Sequence, residues 1–522
     1  MKLGELARVS EAVAATSSRT EKIGLLAECL RALAPDERET GVAWLAGVLP
    51  EGRLGLGPAA VHALRGVPPA AAPTLGVRDA REALARLREV SGKGSAARRQ
   101  ALLAELAGRA TEVEQRFLAR LLVGELRQGA LEGVMSDAIA AAARVPAAAV
   151  RKAVMLAGAL APVASAALDR GVAGLAEFKL RLYDPVGPML ATPTEDVASA
   201  LGALETAAFE YKLDGARAQV HKGPEGVRIY SRTGRDVTDS LPEIEGAVAR
   251  LPAESLILDG EVLALERDGR PKAFQETMRR FGRKLEIDDA RSEVPLSLFC
   301  FDCLHAQGED LLDAPTETRC ARLAELVPRE LLVPRLVTSD RAAAEAFLGE
   351  ALARGHEGLM AKSLSSPYEA GRRGASWLKI KVAHTLDLVV LAAEWGNGRR
   401  RGWLSNLHLG ARDEQGGFVM LGKTFKGLTD ETLAWQTEAL KRLAIDPEAG
   451  GYVVPVRPEL VVEVAFNELQ ASRRYPGGLA LRFARVVRYR PDKTAADADS
   501  MDTVRAIAAG RGYHVRRDPS AS

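Results

Sequence analysis

Glu210-Tyr211-Lys212-Leu213-Asp214-Gly215-Ala216-Arg217 follows the apolar run Ala207-Ala208-Phe209, and its reading decides the middle of the chain. A strand running into an Asp-Gly turn would put Glu210, Lys212 and Asp214 on one face by period-two alternation, with Arg217 just past the turn. Such a face is either the solvated side of a hairpin or a place where charge is gathered for chemistry. Four further charged sets favour the second. Ile229-Tyr230-Ser231-Arg232-Thr233-Gly234-Arg235 ends a strand with two arginines in a turn, a fork suited to phosphate or carboxylate. Leu256-Ile257-Leu258-Asp259-Gly260-Glu261-Val262 sets an acidic pair among apolar residues, where a carboxylate is costly unless it is paired or holds a metal. Glu357-Gly358-Leu359-Met360-Ala361-Lys362 repeats the pattern, and so does Trp377-Leu378-Lys379-Ile380-Lys381-Val382. In the last, alternation predicts Trp377, Lys379 and Lys381 on one face, with Leu378, Ile380 and Val382 toward the core. Neighbouring lysines repel unless an anion lies between them, and a triphosphate has the right charge.

Outward from this centre, 522 residues suit about three domains at ~150 residues each. An apolar content of 47% and a charged content of 27% exclude a disordered chain, a fibrous repeat and a disulfide scaffold. Lys and Arg number 71 against 69 Asp and Glu, so any basic surface must come from local segregation. The first 171 residues are rich in Ala, Leu, Glu and Arg, with apolar positions recurring at three and four, as in Leu102, Leu103, Leu106 and Phe117, Leu118, Leu121, Leu122. Helices are predicted there. Val90-Ser91-Gly92-Lys93-Gly94-Ser95 lacks both the glycine spacing and the preceding strand of a phosphate loop, and reads as a basic interhelical loop. Phe178 to Pro188 reads as the linker that ends the helical part. Beyond it lies a mixed α/β region to Val382, then five strands with one helix near Glu431 to Arg442, which suggests a small barrel of the OB-fold kind.

Cys29, Cys300, Cys303 and Cys320 suit a reducing cytosol. Cys300 and Cys303, three apart on a strand, are predicted on opposite faces, without metal or redox chemistry. No leader or membrane-spanning stretch is visible, since the Ala-rich run to Leu168 is broken by Pro162.

Taken in order, Lys212-x-Asp214-Gly215-x-Arg217, Ser231-Arg232, Asp259-Gly260-Glu261, Phe301-Asp302, Glu357-Gly358-x-x-x-Lys362, Lys379-x-Lys381 and Arg482-Phe483-x-Arg485 resemble the motif set of the covalent nucleotidyltransferases, and among them the ATP-dependent DNA ligases. The helical third resembles the DNA-binding domain of the larger ligases around Glu125-Leu126-Arg127-Gln128-Gly129. The resemblance implies a multidomain α+β chain: a helical DNA-binding domain over 1–184, an adenylation domain over 185–383, an OB-fold over 384–510 and a disordered tail over 511–522. It implies sealing of 5′-phosphate/3′-hydroxyl nicks in duplex DNA through a lysyl-AMP and a DNA-adenylate, with ATP as substrate and Mg²⁺ or Mn²⁺ as the metal. Lys212 would be the nucleophile on the α-phosphate. Glu210 would sit by the adenine and Phe301 would stack on it. Arg217, Arg232 and Arg373 would hold ribose, phosphates or the 5′-phosphate of the nick, and Lys379 and Lys381 the triphosphate. Glu261 and Glu357 suit the metal or the ribose. A monomer in the cytoplasm, on the nucleoid in a bacterium, is the expected setting.

RNA ligases and capping guanylyltransferases share Lys-x-Asp-Gly. The long helical region stands against capping, and Leu481 to Lys493 stands against both, although Ala484 replaces a proline common in the family. A non-catalytic scaffold would keep Arg399-Arg400-Arg401 without needing Lys212.

Overall fold

The computed structural model describes residues 1–509 apart from 51, 53, 63–65, 127, 131, 283–286, 288–290, 292, 370–372, 382–383 and 447–450. The tail expected over 511–522 lies outside the described residues. By internal contact the chain forms two compact units. One comprises Met1–Thr192, Ala198–Ala344 and Met360–Lys379; the other comprises Pro193–Val197, Glu345–Leu359 and the chain from Ile380. Among the described residues no helix is long and apolar enough to cross a membrane.

The first unit opens with helices from Leu3–Ala15 to Leu160–Leu175, as the apolar periodicity predicts. Their apolar faces enclose a core that includes Leu3, Leu30, Trp44, Leu84, Phe117 and Ile139. Local chemistry sets several starts. Ser18 accepts from the Glu21 amide at 3.3 Å, and the buried Glu114 carboxylate takes the Thr111 amide at 2.7 Å, each satisfying a donor that helix geometry leaves without a partner. The loop before Ser95–Arg109 has its Ser91 carbonyl bound by Arg98 at 2.6 Å, while Arg99 binds the Val90 carbonyl at 2.5 Å.

The strands in chain order are β1 (Leu190–Thr194), β2 (Ala207–Tyr211), β3 (Ala216–Gly223), β4 (Gly226–Ser231), β5 (Leu256–Ala264), β6 (Leu296–Ala306), β7 (Glu309–Asp310), β8 (Arg335–Thr338), β9 (Gly358–Ser363) and β10 (Arg373–Lys381). They form two five-stranded sheets, ordered β1-β10-β9-β2-β8 and β4-β3-β5-β6-β7. In the second sheet Leu256, Leu258, Val262 and Ala264 of β5 face one core while Asp259 and Glu261 face away from it, the alternation of an antiparallel strand.

The linker from Phe178 to Pro188 is fastened to this sheet. The Tyr183 amide donates to His221 Nδ1 at 2.9 Å, the Val186 amide donates to Gln219 Oε1 at 2.8 Å, and the Tyr230 hydroxyl donates to the Tyr183 carbonyl at 2.7 Å. Since Nδ1 accepts, Nε2 carries the proton and donates to Gln219 Oε1 at 2.9 Å. Met155 and Leu156 of the helical part share a core with Leu180, Leu182, Ile257, Leu304 and Tyr368.

In the second unit, β11 (His384–Trp395), β12 (Leu404–Arg412), β13 (Phe418–Thr424), β14 (Val453–Pro455), β15 (Val461–Phe466), β16 (Glu468–Ala471), β17 (Leu479–Arg482) and β18 (Arg485–Tyr489) are accompanied by the helix Asp430–Leu443. The main sheet runs β13-β12-β11-β15-β18, with β14 also on β11. Its ends curl together: the Val486 amide donates to the Lys426 carbonyl at 3.0 Å and Thr424 Oγ1 to the Ala484 carbonyl at 2.6 Å. The run read as one strand over Arg482 to Tyr489 is two, because Phe483 takes a left-handed φ of 56° that breaks the pleat.

Burial, reinforced by His305, holds the His221 imidazole down to about 3 from 6.5. The unfolded chain therefore binds a proton near pH 6.5 that the folded chain refuses until near pH 3. This stability is complete above the higher value and falls with pH between the two, by up to about 1.4 kcal/mol per unit. His221→Asn keeps an acceptor for the Tyr183 amide and removes the titration. Thermal unfolding at pH 7, 6 and 5 should show a shallower acid slope in this variant than in the parent.

Candidate active site

The segment Lys212–Gly215 does not turn a hairpin. β2 and β3 belong to different sheets, so the four residues cross from one sheet to the other. Lys212 therefore lies just beyond the last strand residue, Tyr211, and does not share a strand face with Glu210. The crossing is tight. A Cβ on Gly215 would stand 2.3 Å from the Val262 carbonyl oxygen and 3.0 Å from Glu261 Cγ, so glycine is required by the approach of one backbone to another. The Gly215 amide donates to the Glu261 carboxylate, and Lys212 and Arg217 act on the same group. Burial still dominates and pushes Glu261 up to about 7, with Lys212 and then Arg217 pulling it back down. Half-buried Lys212, with Nζ 3.4 Å from the Leu213 carbonyl, thus stands beside a carboxyl group whose charge is poorly solvated.

Arg217 is directly opposite Glu261 on β3 and β5, yet its side chain reaches diagonally to Asp259. Nε donates to Oδ1 at 3.0 Å and Nη2 to Oδ2 at 2.5 Å. Nη1 donates to the Met189 carbonyl at 2.6 Å and Nη2 also to the Tyr368 hydroxyl at 3.1 Å. That hydroxyl accepts from the Met189 amide at 3.0 Å and donates to Asp259 at 2.7 Å; burial and Asp259 hold it well above its usual pKa, so it keeps the proton it donates. The Arg217 guanidinium lies 5.4 Å from the Phe301 ring centroid.

Phe301 owes its direction to a bulge. Asp302 pairs with Asp259 and Cys300 with Gly260, which leaves Phe301 as an extra residue, and a second irregularity follows at Leu304. Cys300 and Cys303 therefore share one core, contrary to the opposite faces expected of an unbroken strand, while Phe301 and Leu304 turn to the other side. Burial raises both thiols, Cys303 to about 12. Next to Phe301, Asp302 is fully buried and bound by Arg319 through Nε at 2.7 Å and Nη2 at 3.1 Å.

Glu210 is 2% exposed, and its carboxylate takes Arg335 Nη2 at 2.6 Å and Lys362 Nζ at 2.7 Å. Lys362 Nζ lies 4.6 Å from the centre of the Phe301 ring and 4.2 Å from that of Trp377. Both Lys362 and Arg335 donate to the Phe301 carbonyl, at 3.2 and 3.1 Å. Glu210, Lys212, Arg217, Glu261 and Phe301 are thus joined through a few shared neighbours.

The remaining expected residues have other settings. Glu357 accepts from Lys381 Nζ at 2.8 Å, so a carboxylate of this chain compensates one of the two lysines. Lys379 is half-buried on β10. Trp377 is buried along with Leu378 and Ile380, so the strand is covered on both faces and not on one. Arg232 is exposed in a turn bordering a cleft with Gly158, Arg181 and Asp184. Arg373 begins β10, and its side chain lies outside the described residues. Among the described residues no group of three or more His, Cys, Asp or Glu is gathered that could hold a metal ion. Reading the sequence missed Arg335, Tyr368 and Arg319; their partners lie 125, 109 and 17 residues away. The one local hint was acids at 210, 259 and 302 in apolar strands, each needing a partner.

Residues 188–381 match the family described as ATP dependent DNA ligase domain, 400–493 the ATP dependent DNA ligase C terminal region and 56–140 the DNA ligase N terminus. A probable DNA ligase of Anaeromyxobacter sp. (strain Fw109-5) is 63% identical over 509 residues, covering 97% of this chain and 98% of its own. The chain belongs to the ATP-dependent DNA ligases. This ligase is an enzyme that forms phosphodiester bonds, with ATP as a substrate and nicked DNA implied as the other. A probable DNA ligase of Mycolicibacterium gilvum (strain PYR-GCK) is 56% identical over 97% of the chain and 99% of its own. The solved structure named Pmar-Lig_Pre, at 20% identity, covers 93% of this ligase and 99% of its own chain with a TM-score of 0.62, a likeness of fold.

Gly215→Ala should act on the position of Lys212. The added Cβ meets backbone, so the crossing segment must shift, and displacements near 1 Å cost on the order of 100-fold in rate. Nick sealing should fall by about that factor while far-ultraviolet circular dichroism stays that of the parent.

Proposed function

We propose that the ligase seals nicks in three transfers, with Lys212 as the covalent carrier. Lys212 Nζ, after losing its proton, attacks the α-phosphorus of ATP; a P–N bond forms, the α–β P–O bond breaks and pyrophosphate leaves. The AMP then passes from Lys212 to the 5′-phosphate of the nick, regenerating the lysine and leaving a pyrophosphate-linked DNA-adenylate. Finally the 3′-hydroxyl attacks that 5′-phosphorus and AMP departs. The observation that carries this reading is the crossing segment, which holds a lysine at the junction of two sheets, against Glu261 and beside the Arg217–Asp259 pair.

Within it, Phe301 offers its ring to the adenine, and Glu210, held by Arg335 and Lys362, fixes the end of the strand that precedes Lys212. Arg217, already bound on one side, presents a pre-ordered guanidinium to ribose or phosphate. Arg232 and Arg373 suit the 5′-phosphate, and Lys379 and Lys381 the triphosphate. Glu261 fits a hard divalent cation, because a half-buried, poorly solvated carboxylate gains from one, and such an ion takes few protein ligands beside phosphate and water. Mg²⁺ or Mn²⁺ there would neutralise phosphate charge, with Glu357 as a second carboxylate. The division into 1–184, 185–383 and 384–510 as DNA-binding, adenylation and OB-fold parts accords with the helical region, the paired sheets and the curled C-terminal sheet. The active form is proposed to be a monomer in the cytoplasm.

Incubation with α-labelled ATP should leave a label on the protein that survives denaturation, and α-labelled GTP should not. Lys212→Arg should abolish the adduct, since guanidinium does not give up its proton, and should leave nick binding within about threefold. An adduct that persists in Lys212→Arg would overturn the proposal.

DNA contacts of such an enzyme fall mostly on phosphate, so affinity should drop steeply with salt and depend little on sequence. Arg399 and Arg401 are exposed beside the turn Gly398–Arg400. Replacing both with Gln should weaken nick binding and lower the slope of log K against log salt by about 2, measured by fluorescence anisotropy.

A further inference from the structure

Tyr368 lies between β9 and β10, outside the charged motifs, and is 3% exposed. Its ring is seated independently of its hydroxyl. The ring meets Trp377 edge to face at 6.0 Å, the Arg319 guanidinium lies 5.8 Å from its centre, and the Tyr368 amide donates to the Leu312 carbonyl at 2.8 Å. A phenolic hydroxyl has one proton and two lone pairs, and here all of them are engaged. It donates to Asp259 Oδ2 at 2.7 Å and accepts from the Met189 amide at 3.0 Å and from Arg217 Nη2 at 3.1 Å. Tyr368, Asp259, Met189 and Arg217 all belong to the first unit. The donors of Arg217 can be counted in the same way. Nε gives its N–H to Asp259, Nη2 gives one to Asp259 and one to Tyr368, and Nη1 gives one to the Met189 carbonyl. The second N–H of Nη1 is the donor left to meet a ligand. Met189 is held on both sides, its amide by Tyr368 and its carbonyl by Arg217.

We propose that Tyr368 is a positioning residue for ATP binding, acting through Arg217. This rests on the reading above that Arg217 faces the nucleotide, and it adds what aims the guanidinium. Asp259 grips the edge formed by Nε and Nη2, a fork that still lets the plane tilt. The contacts to Tyr368 and Met189 remove that freedom. Tyr368 takes the remaining N–H of Nη2, and by taking the Met189 amide it also steadies the residue whose carbonyl holds Nη1. The free N–H of Nη1 is thereby fixed before the nucleotide arrives. Phenylalanine at 368 would keep the ring and its seat while leaving two donors, the Met189 amide and one N–H of Nη2, without an acceptor. The guanidinium recovers a partner by tilting, and the tilt carries the free N–H off its line.

The test is Tyr368→Phe in the full-length ligase, read by single-turnover formation of labelled lysyl-AMP across a range of ATP concentrations. The half-saturating ATP concentration should rise about tenfold, the factor for one lost hydrogen bond to a charged group, while the maximal rate stays within about threefold. A purely structural loss would instead shrink the fraction of active enzyme. It would show as a smaller labelled amplitude at the parental half-saturating concentration, and the proposal would fall. In an Arg217→Lys background, where no fork is left for Tyr368 to steady, Tyr368→Phe should add less than about threefold. The full tenfold in that background would mean a route that bypasses Arg217, and would overturn the proposal. If Arg217→Lys does not fold, the split between amplitude and half-saturation in the single variant decides alone. The underlying reading fails separately. Parental ATP dependence in Arg217→Lys would refute Arg217 as a nucleotide-binding group and the proposal with it, whereas a raised value there beside a parental one in Tyr368→Phe refutes the role of Tyr368 alone.

Discussion

The pair Arg217–Asp259 is the constraint on which the structure around Lys212 depends. Two charges placed in a low-dielectric interior repay their desolvation only when the geometry is close and every remaining donor is used. Here the guanidinium spans Asp259, the Met189 carbonyl and the Tyr368 hydroxyl, and Tyr368 closes the set by donating back to Asp259. The pair therefore ties β3 and β5 to the segment entering β1 and to the stretch after β9. Phe301 and Trp377 pack around the same guanidinium. Removing either charge would leave the other buried and alone, which typically costs about 3–5 kcal/mol.

The same rule recurs at each acid set in an apolar strand. Glu210 is met by Arg335 and Lys362, Asp302 by Arg319, and in the other unit Asp387 by Arg490 and Lys493. Each carboxylate is on or beside a strand that carries a functional group, and each partner comes from a different element. Rigid placement of Lys212 and Phe301 follows from these links, because the strand ends beside them cannot slide without breaking a buried ion pair. Glu261 stands apart: its burial is only partly offset by Lys212 and Arg217, which is why its carboxyl stays near 7.

Bulges and a glycine then aim what the ion pairs hold. The extra residue at Phe301 turns its ring away from the core that Cys300 and Cys303 share. Gly215 lets the crossing segment press against the Val262 carbonyl, which brings Lys212 to Glu261. Both depart from regular sheet geometry, one at the ring and one at the lysine.

Much of this was legible before any coordinates. The 3.6-residue periodicity predicted the helical third, the acidic pair set among apolar residues from Leu256 to Val262 marked what the structure shows as β5, and the ordered Lys-x-Asp-Gly series picked out the family and directed attention to residues 210, 212, 217, 261 and 301, which the structure joins through shared neighbours. These are local patterns, and local backbone geometry answers to them. The turn expected at Asp214-Gly215 does not return the chain along β2, because Asp-Gly marks a tight bend without saying which sheet the next strand joins. The alternation that sets Trp377, Lys379 and Lys381 against Leu378 and Ile380 marks a strand, but it does not say what packs on each side, and the structure buries Trp377 as well as Leu378 and Ile380. The sequence by itself determined the family and most of the local elements. The tertiary structure alone decided that Arg335 would meet Glu210 across 125 positions and Tyr368 would meet Asp259 across 109, since a buried charge specifies the need for a partner but only the packing of distant strands selects which one arrives.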